Sequence, residues 1–434
     1  MEPIFSTTFD IVTILLTTLM CVRNFKKLTE NSRFFIYYIF VFFYVIPLFI
    51  DYLYAFPTYT YSYRFRGFYI ANNDPLTRIV YDFFVLLVQW LLLRVKTKEE
   101  RPILISEHDN HTATIGRLLY IGLVFPTVAT LLFGSDKSIL YTFMWRENDL
   151  VAEGYVPLAE ELSYIGICCA VLLFFKDSSK HRLARRILSI LFAYVNVCIE
   201  GKRSILFFLF LVIFVVNLPG IRDKSIPVKQ RRNRVFALLL LLVIIIAAMV
   251  VMTVNVKMNV RQYTDPSAVY TTIRIDFFRD DRVRMAIYSI LYPDKLTILK
   301  YPGETLIPAV LNIFPLDYIA GFLKIHPLSY TAYISAALTG SSVISQEKAF
   351  MTPAIFAELL SNFHILGLAF MVMITLWFAR KAEKYPYPVN VFILVSYILI
   401  QMYSIPYVAY FLEATLILCL SYHVKFVFGN KLRD

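Results

Sequence analysis

The sequence predicts an all-α polytopic membrane protein of about eleven transmembrane helices with one large, partly helical external loop. Three observations predict it. Apolar residues make up 58% of the 434 positions and charged residues 17%, the reverse of what a soluble domain needs to keep a hydrated surface. Apolar runs recur along the chain at lengths near the ~20 residues with which a helix crosses a bilayer. Lys and Arg, finally, collect in every second connection, as they do in short cytoplasmic loops.

The runs lie near 5–22, 34–54, 78–94, 117–133, 158–175, 187–199, 205–220, 235–252, 356–379, 389–405 and 407–424. They are read as one membrane domain over 1–434. Arg23, Lys26, Lys27 and Arg33 follow the first run; Arg94, Lys96, Lys98 and Arg101 the third; Lys176, Lys180, Arg182, Arg185 and Arg186 the fifth. Arg222, Lys224, Lys229, Arg231, Arg232 and Arg234 follow the seventh, Arg380, Lys381 and Lys384 the ninth, and Lys425, Lys431 and Arg433 the last. This alternation puts the N-terminus outside and the C-terminus inside, and it assigns the basic loops to topology and anionic lipid rather than to catalysis. The formal charge of +12 does not point to nucleic acid, because no soluble module carries a basic face. No cleavable signal peptide is expected, since no basic leader precedes the first run and further spans follow it. Cys21, Cys168, Cys169, Cys198 and Cys419 lie in or beside apolar runs without metal-ligand spacing and read as buried small hydrophobes. Asn110-His-Thr matches a glycosylation acceptor but falls on the inner side.

One connection is long. Residues 253–350 form a single external loop, and loops of that length are usually functional. Its helix-compatible stretches at 270–291 and 330–337, its proline-marked turns and its many aromatics predict an ordered cap.

Four segments could carry chemistry. Glu200-Gly-Lys-Arg-Ser204 interrupts the apolar stretch 187–220, and the short flanking runs set it below the outer interface, where Lys202 and Arg203 need either headgroups or an internal anion. A guanidinium fork suits a phosphate better than a point charge does. The second segment, Arg274-Ile-Asp-Phe-Phe-Arg-Asp-Asp-Arg-Val-Arg284, would as a helix align Arg274, Phe278 and Asp281 and pair Asp280 with Arg284. It offers the guanidiniums of Arg274, Arg279 and Arg282 for an anion, and carboxylates, Asp276, Asp280 and Asp281, for a base. Such charges also serve merely to stabilise an exposed helix. The third, Lys324-Ile-His-Pro-Leu-Ser-Tyr330, places Lys324 and His326 in a turn; a lone loop His is more often solvated than catalytic. In the fourth, Thr352 to Gly367, Glu358 enters the outer end of the ninth run, where facing the bundle interior and pairing with an arginine would lower its cost; Glu413 is a weaker case. Phosphate-binding, zinc-protease and serine-hydrolase motifs are absent. The first external loop offers only Asn72, Asn73 and Asp74, so no metal or other cofactor is expected.

In their order and membrane positions these segments resemble the Wzy-type oligosaccharide repeat unit polymerases of O-antigen, capsule and exopolysaccharide pathways. Gly201-Lys-Arg203 is similar to that family's Gly-Lys-Arg turn, 274–288 to its Arg-x-Asp and Arg-Asp-Asp pair, and Tyr301-Pro-Gly-Glu304 to its Tyr-x-Gly turn. The stretch 327–338 resembles its proline and tyrosine repeat. Two positions depart from the pattern: His326 stands before Pro327 where a lysine is commoner, with Lys324 two residues earlier, and His364 takes the first glycine of Asn-Phe-Gly-x-x-Gly. The resemblance implies a fold like the metal-independent membrane glycosyltransferases and O-antigen ligases, sited in a bacterial cytoplasmic membrane. It implies undecaprenyl-pyrophosphate-linked donor and acceptor, with a chain-length regulator and a repeat-unit flippase as further partners. By that reading Arg203 and Arg279 bind pyrophosphate, Lys202, Arg274, Arg282, Lys324 and Glu358 support substrate, and Asp280 or His326 orients or deprotonates the acceptor. The rival readings are an O-antigen ligase and, from another class, a flippase or transporter.

Overall fold

The computed structural model describes residues 3–25, 27, 32–53, 66–95, 112–134, 157–176, 181–201, 204–222, 226–254, 274, 278–311, 313, 316–323, 328–344, 354–385, 388–403 and 405–431. Every regular element among them is a helix. In chain order they are α1 (Pro3–Asn24), α2 (Ser32–Tyr44), α3 (Ile46–Leu53), α4 (Arg66–Asn73), α5 (Pro75–Arg94), α6 (Thr112–Phe133), α7 (Pro157–Phe175), α8 (Arg182–Glu200) and α9 (Ser204–Arg222). There follow α10 (Val228–Val254), α11 (Asp280–Leu291), α12 (Leu306–Leu311), α13 (Leu316–Phe322), α14 (Tyr330–Thr339), α15 (Ile355–Phe363), α16 (Ile365–Lys384), α17 (Val389–Met402) and α18 (Ile405–Lys431).

Each of the eleven apolar runs falls on one helix or a consecutive pair. Among the described residues six helical stretches are long and apolar enough to cross a membrane: Ile4–Asn24, Ser32–Leu53, Pro75–Arg94, Ile115–Phe133, Leu158–Phe175 and Ile365–Lys384. Ser204–Leu218, Val389–Met402 and Val408–Ser421 are shorter apolar helices. Burial on α1 is inverted relative to a soluble protein. It hides Ser6, Asp10, Thr13 and Thr17 while Leu15, Leu19 and Val22 are 63–73% exposed. In water such an apolar surface would be a liability, whereas lipid is its proper solvent. The chain is thus an all-α protein with the helices of a multi-pass membrane protein.

Local chemistry sets the helix ends. Val45 is a turn between α2 and α3 because Pro47 has no N–H for an uninterrupted helix. Asp74 caps α5 by accepting from Thr77 N at 2.8 Å, with Pro75 in the first helical position. Gly201 ends α8 at φ 62° and Gly340 ends α14 at φ 71°, a left-handed conformation that costs glycine nothing. The ninth apolar run is split at His364 (φ 53°), so α15 precedes the membrane-length helix α16 as a separate, buried piece.

The chain groups into two compact units, each drawn from distant segments: 1–101, 264–384 and 396–409 in the first, 102–263, 385–395 and 410–434 in the second. In the first, α11 packs on α4, α5 and α15. Gly67 of α4 is close enough there that a Cβ would meet Met285 Sδ at 2.8 Å. In the second, α7 lies against α6 and α8. Gly166 admits Asn196, whose Nδ2 donates to the carbonyl oxygens of Leu123 and Phe192 at 3.3 and 2.7 Å. Cys168, Cys169 and Cys198 are buried, Cys21 and Cys419 half-buried, and all five are free thiols.

Candidate functional site

The charged stretch 274–284 is folded inward. Arg274, Arg279, Arg282 and Arg284 are at most 1% exposed, as are Asp51, Asp280 and Asp281. Burying so many charges is tolerated only when each is paired or hydrogen-bonded. Arg274 sits at the centre: its Nε and Nη2 reach Asp51 Oδ1 and Oδ2 at 2.8 and 3.1 Å. The same guanidinium bonds both oxygens of Asp280, at 2.6 Å to Oδ1, and lies 3.1 Å from Asp281 Oδ1. Asn72 then bridges the far side, donating to Asp281 Oδ1 at 2.8 Å and accepting from Arg284 at 3.1 Å. Arg284 stands 3.7 Å from Asp280 Oδ2 and lies over the Tyr81 ring.

Asp280 and Arg284 thus form the i, i+4 pair that their spacing predicts. The continuous helix expected over 270–291 does not form, because Phe278 and Arg279 are non-helical and α11 starts at Asp280. Arg274 therefore meets Asp281 through the fold rather than along a helix face. The break turns the Phe278 carbonyl toward two guanidiniums, accepting from Arg279 at 2.7 Å and from Arg282 at 3.1 Å. Arg282 also lies over the Phe68 ring. Two cations thereby converge at the N-terminus of α11, where backbone N–H groups already favour negative charge. Burial pushes the Asp280 carboxyl up to about 6, with the Arg274 guanidinium opposing the shift.

A second cluster gathers three of the other segments. In the Tyr301-Pro-Gly-Glu304 turn Gly303 takes φ 83°, and Glu304 accepts from Lys300 N at 2.9 Å and from the Tyr333 hydroxyl at 3.1 Å. Burial raises that Tyr333 hydroxyl to about 12. Next to the turn, Thr305 Oγ1 donates to Glu358 Oε1 at 3.2 Å and accepts from Asn362 Nδ2 at 2.8 Å, while the hydroxyls of Tyr330 and Ser361 meet at 3.0 Å. Glu358 is buried but makes no ion pair with a described arginine, contrary to the pairing expected for it: α15 directs its carboxyl to the hydroxyl of Thr305. Burial raises it to about 7, the Thr305 hydrogen bond opposing.

In the second unit Glu200 is fully buried at the end of α8, held by Ser163 Oγ at 3.1 Å and Tyr164 OH at 3.2 Å; Tyr164 also meets Ser204 Oγ at 3.2 Å. Lys202, Arg203, Lys324 and His326, with Asp276, lie outside the described residues. Among the described residues no group of three or more His, Cys, Asp or Glu side chains is placed to hold a metal ion.

Asp51 and Asn72 are the site residues that the sequence reading missed. Asp51 is a lone carboxylate near the end of the second apolar run, the kind of intramembrane charge that implies a buried partner. Asn72 carries no such signal. No protein-family model, curated protein or solved structure matches the chain.

Proposed function

We propose that the protein polymerises undecaprenyl-pyrophosphate-linked oligosaccharide repeat units into O-antigen, capsular or exopolysaccharide chains by inverting glycosyl transfer. The reaction would take place on the outer face of a bacterial cytoplasmic membrane, in a fold of about eleven spans akin to the metal-independent membrane glycosyltransferases. The observation that carries the reading is the convergence of Arg279 and Arg282 on the Phe278 carbonyl at the start of α11. A pyrophosphate leaving group needs such preorganised cations beside it. Among the described residues, four buried guanidiniums and three buried carboxylates gather in this network.

In this reading a hydroxyl oxygen of the incoming unit attacks C1 of the growing chain. The bond from C1 to the pyrophosphate oxygen breaks, and the electron pair leaves on undecaprenyl pyrophosphate. Arg203, Arg279 and Arg282, with Lys202 and Lys324, bind the anionic carrier. Arg274 acts through Asp280, whose carboxylate it fixes at the start of α11. Asp280 or His326 orients the attacking hydroxyl or takes its proton, and Glu358 supports the acceptor side. The test is the purified protein supplied only with lipid-linked repeat units. A ladder of lengthening chains is the expected product; single transfers to another acceptor would make it a ligase, and flipping without polymer a transporter.

A further inference from the structure

The seam between α1 and α5 holds a charged cluster that the proposed reaction does not use. Both helices are long and apolar enough to cross a membrane. Two cross-helix bonds fix their register: Arg78 Nε donates to Asp10 Oδ2 at 3.1 Å, and Gln89 Nε2 donates to Thr17 Oγ1 at 3.0 Å. Between these rungs lie Thr13 on α1 and Asp82 on α5, neither with any exposed surface. Asp10 Oδ1, Thr13 Oγ1 and both oxygens of Asp82 find no hydrogen-bond donor on the described protein. Asp82 nevertheless lies within hydrogen-bonding reach of Asp10.

The charged and titratable groups facing the pair come from α3, α5 and α11. Arg78 is bonded to Asp10 and to Thr7 Oγ1, and Tyr52 of α3 donates to Asp10 Oδ2 at 3.1 Å. Tyr81 on α5 gives its hydroxyl proton to the Tyr44 carbonyl at 2.7 Å, and Arg284 of α11 is paired with Asp280. Among the described residues the ion pair in the seam joins Arg78 to Asp10, and Asp82 makes none. Two bare carboxylates in contact repel each other, and a proton or other cation shared between their oxygens removes that repulsion. An ionised, unpaired carboxylate in such surroundings would cost several kcal/mol, and neutralising it removes that cost.

We infer that Asp10 and Asp82 bind one cation between α1 and α5 within the membrane, and that this cation is a proton carried by Asp82 and donated to Asp10 Oδ1. Thr13, one helical turn from Asp10, supplies a hydroxyl beside the pair. The inference stands apart from the polymerase reading.

Infrared spectroscopy of the full-length protein in lipid nanodiscs tests it. At mildly alkaline pH, well above the value of about 6 for Asp280, the wild-type protein should keep a protonated-carboxyl band. That band should shift to lower frequency when aspartate is labelled with heavy carbon, a readout that needs no variant. Asp82→Asn and Asp10→Asn should each abolish it, the first by removing the proton carrier and the second by freeing Asp82 to ionise beside Arg78. Glu358→Gln should leave the labelled band in place. A band unmoved by labelling overturns the inference. So does a wild-type protein without the band in sodium buffer that gains it when sodium is withdrawn, since the cation would then be sodium.

Discussion

Arg274 holds Asp280 through both carboxylate oxygens while Asp51 grips the same guanidinium from Nε and Nη2. All three side chains are fully buried. Removing one member of such a buried set strands the others as unpaired charges, at a cost of about 3–5 kcal/mol. Asp51→Ala should therefore lower the melting temperature of the detergent-purified protein markedly, although Asp51 lies more than two hundred residues from Arg274 in the chain. Arg274→Lys should do nearly the same, because an ammonium cannot reproduce the two-sided fork. Wild-type melting in either variant would mean that the clamp does not contribute to stability.

The pH dependence of stability has a definite sign. Burial raises Glu358 from 4.5 to about 7 and Asp280 from 3.8 to about 6. The folded protein thus holds these protons more tightly than the unfolded chain does. Their stabilising contribution is complete below the unfolded values and is lost as pH rises through the folded ones. Melting temperature should fall between about pH 4 and 7. Glu358→Gln, which stays neutral throughout, should flatten the upper part of that fall, worth on the order of 3 kcal/mol for the shift involved. A parallel pH profile for the variant would count against the assignment.

His364 takes φ 53° and ψ −131° at the junction of α15 and α16, a region that glycine enters freely and other residues enter at about 1–3 kcal/mol. His364→Gly should raise the melting temperature. Three residues on, a Cβ at Gly367 would lie 2.5 Å from the Leu359 carbonyl oxygen and 2.7 Å from Leu360 Cα. Gly367→Ala should accordingly destabilise, and the opposite order of the two variants would refute this account of the junction.

If the polymerase reading holds, Arg203→Ala and Arg279→Ala, inserted in the membrane at wild-type levels, should leave cells with single repeat units on the lipid carrier. Unchanged long polymer from both, read on a carbohydrate gel, would dispose of their role in binding pyrophosphate. Arg282→Ala should weaken donor binding by about 1–3 kcal/mol, seen as a raised KM, because it removes one charge-assisted partner of the anion.

Composition and apolar periodicity made the helices legible, since lipid demands apolar side chains and a self-satisfied backbone whatever the tertiary contacts. The same reasoning placed Asp280 against Arg284, a neighbour along one helix. It did not foresee the break at Phe278 and Arg279, where Arg274 leaves the helix line to reach Asp51 and Asp281. Nor did it foresee Thr305 as the partner of Glu358, because that choice depends on how α15 packs.

By itself the sequence determined that this chain is a helical membrane protein with charge concentrated in the segment 274–284, because solvent and period act on each residue locally. Only the tertiary structure decided that the charge is buried, that Asp51 and Asn72 close its network, and that Asp10 and Asp82 meet. Those pairings join residues remote along the chain, and their energies depend on burial and distance, which no local pattern encodes.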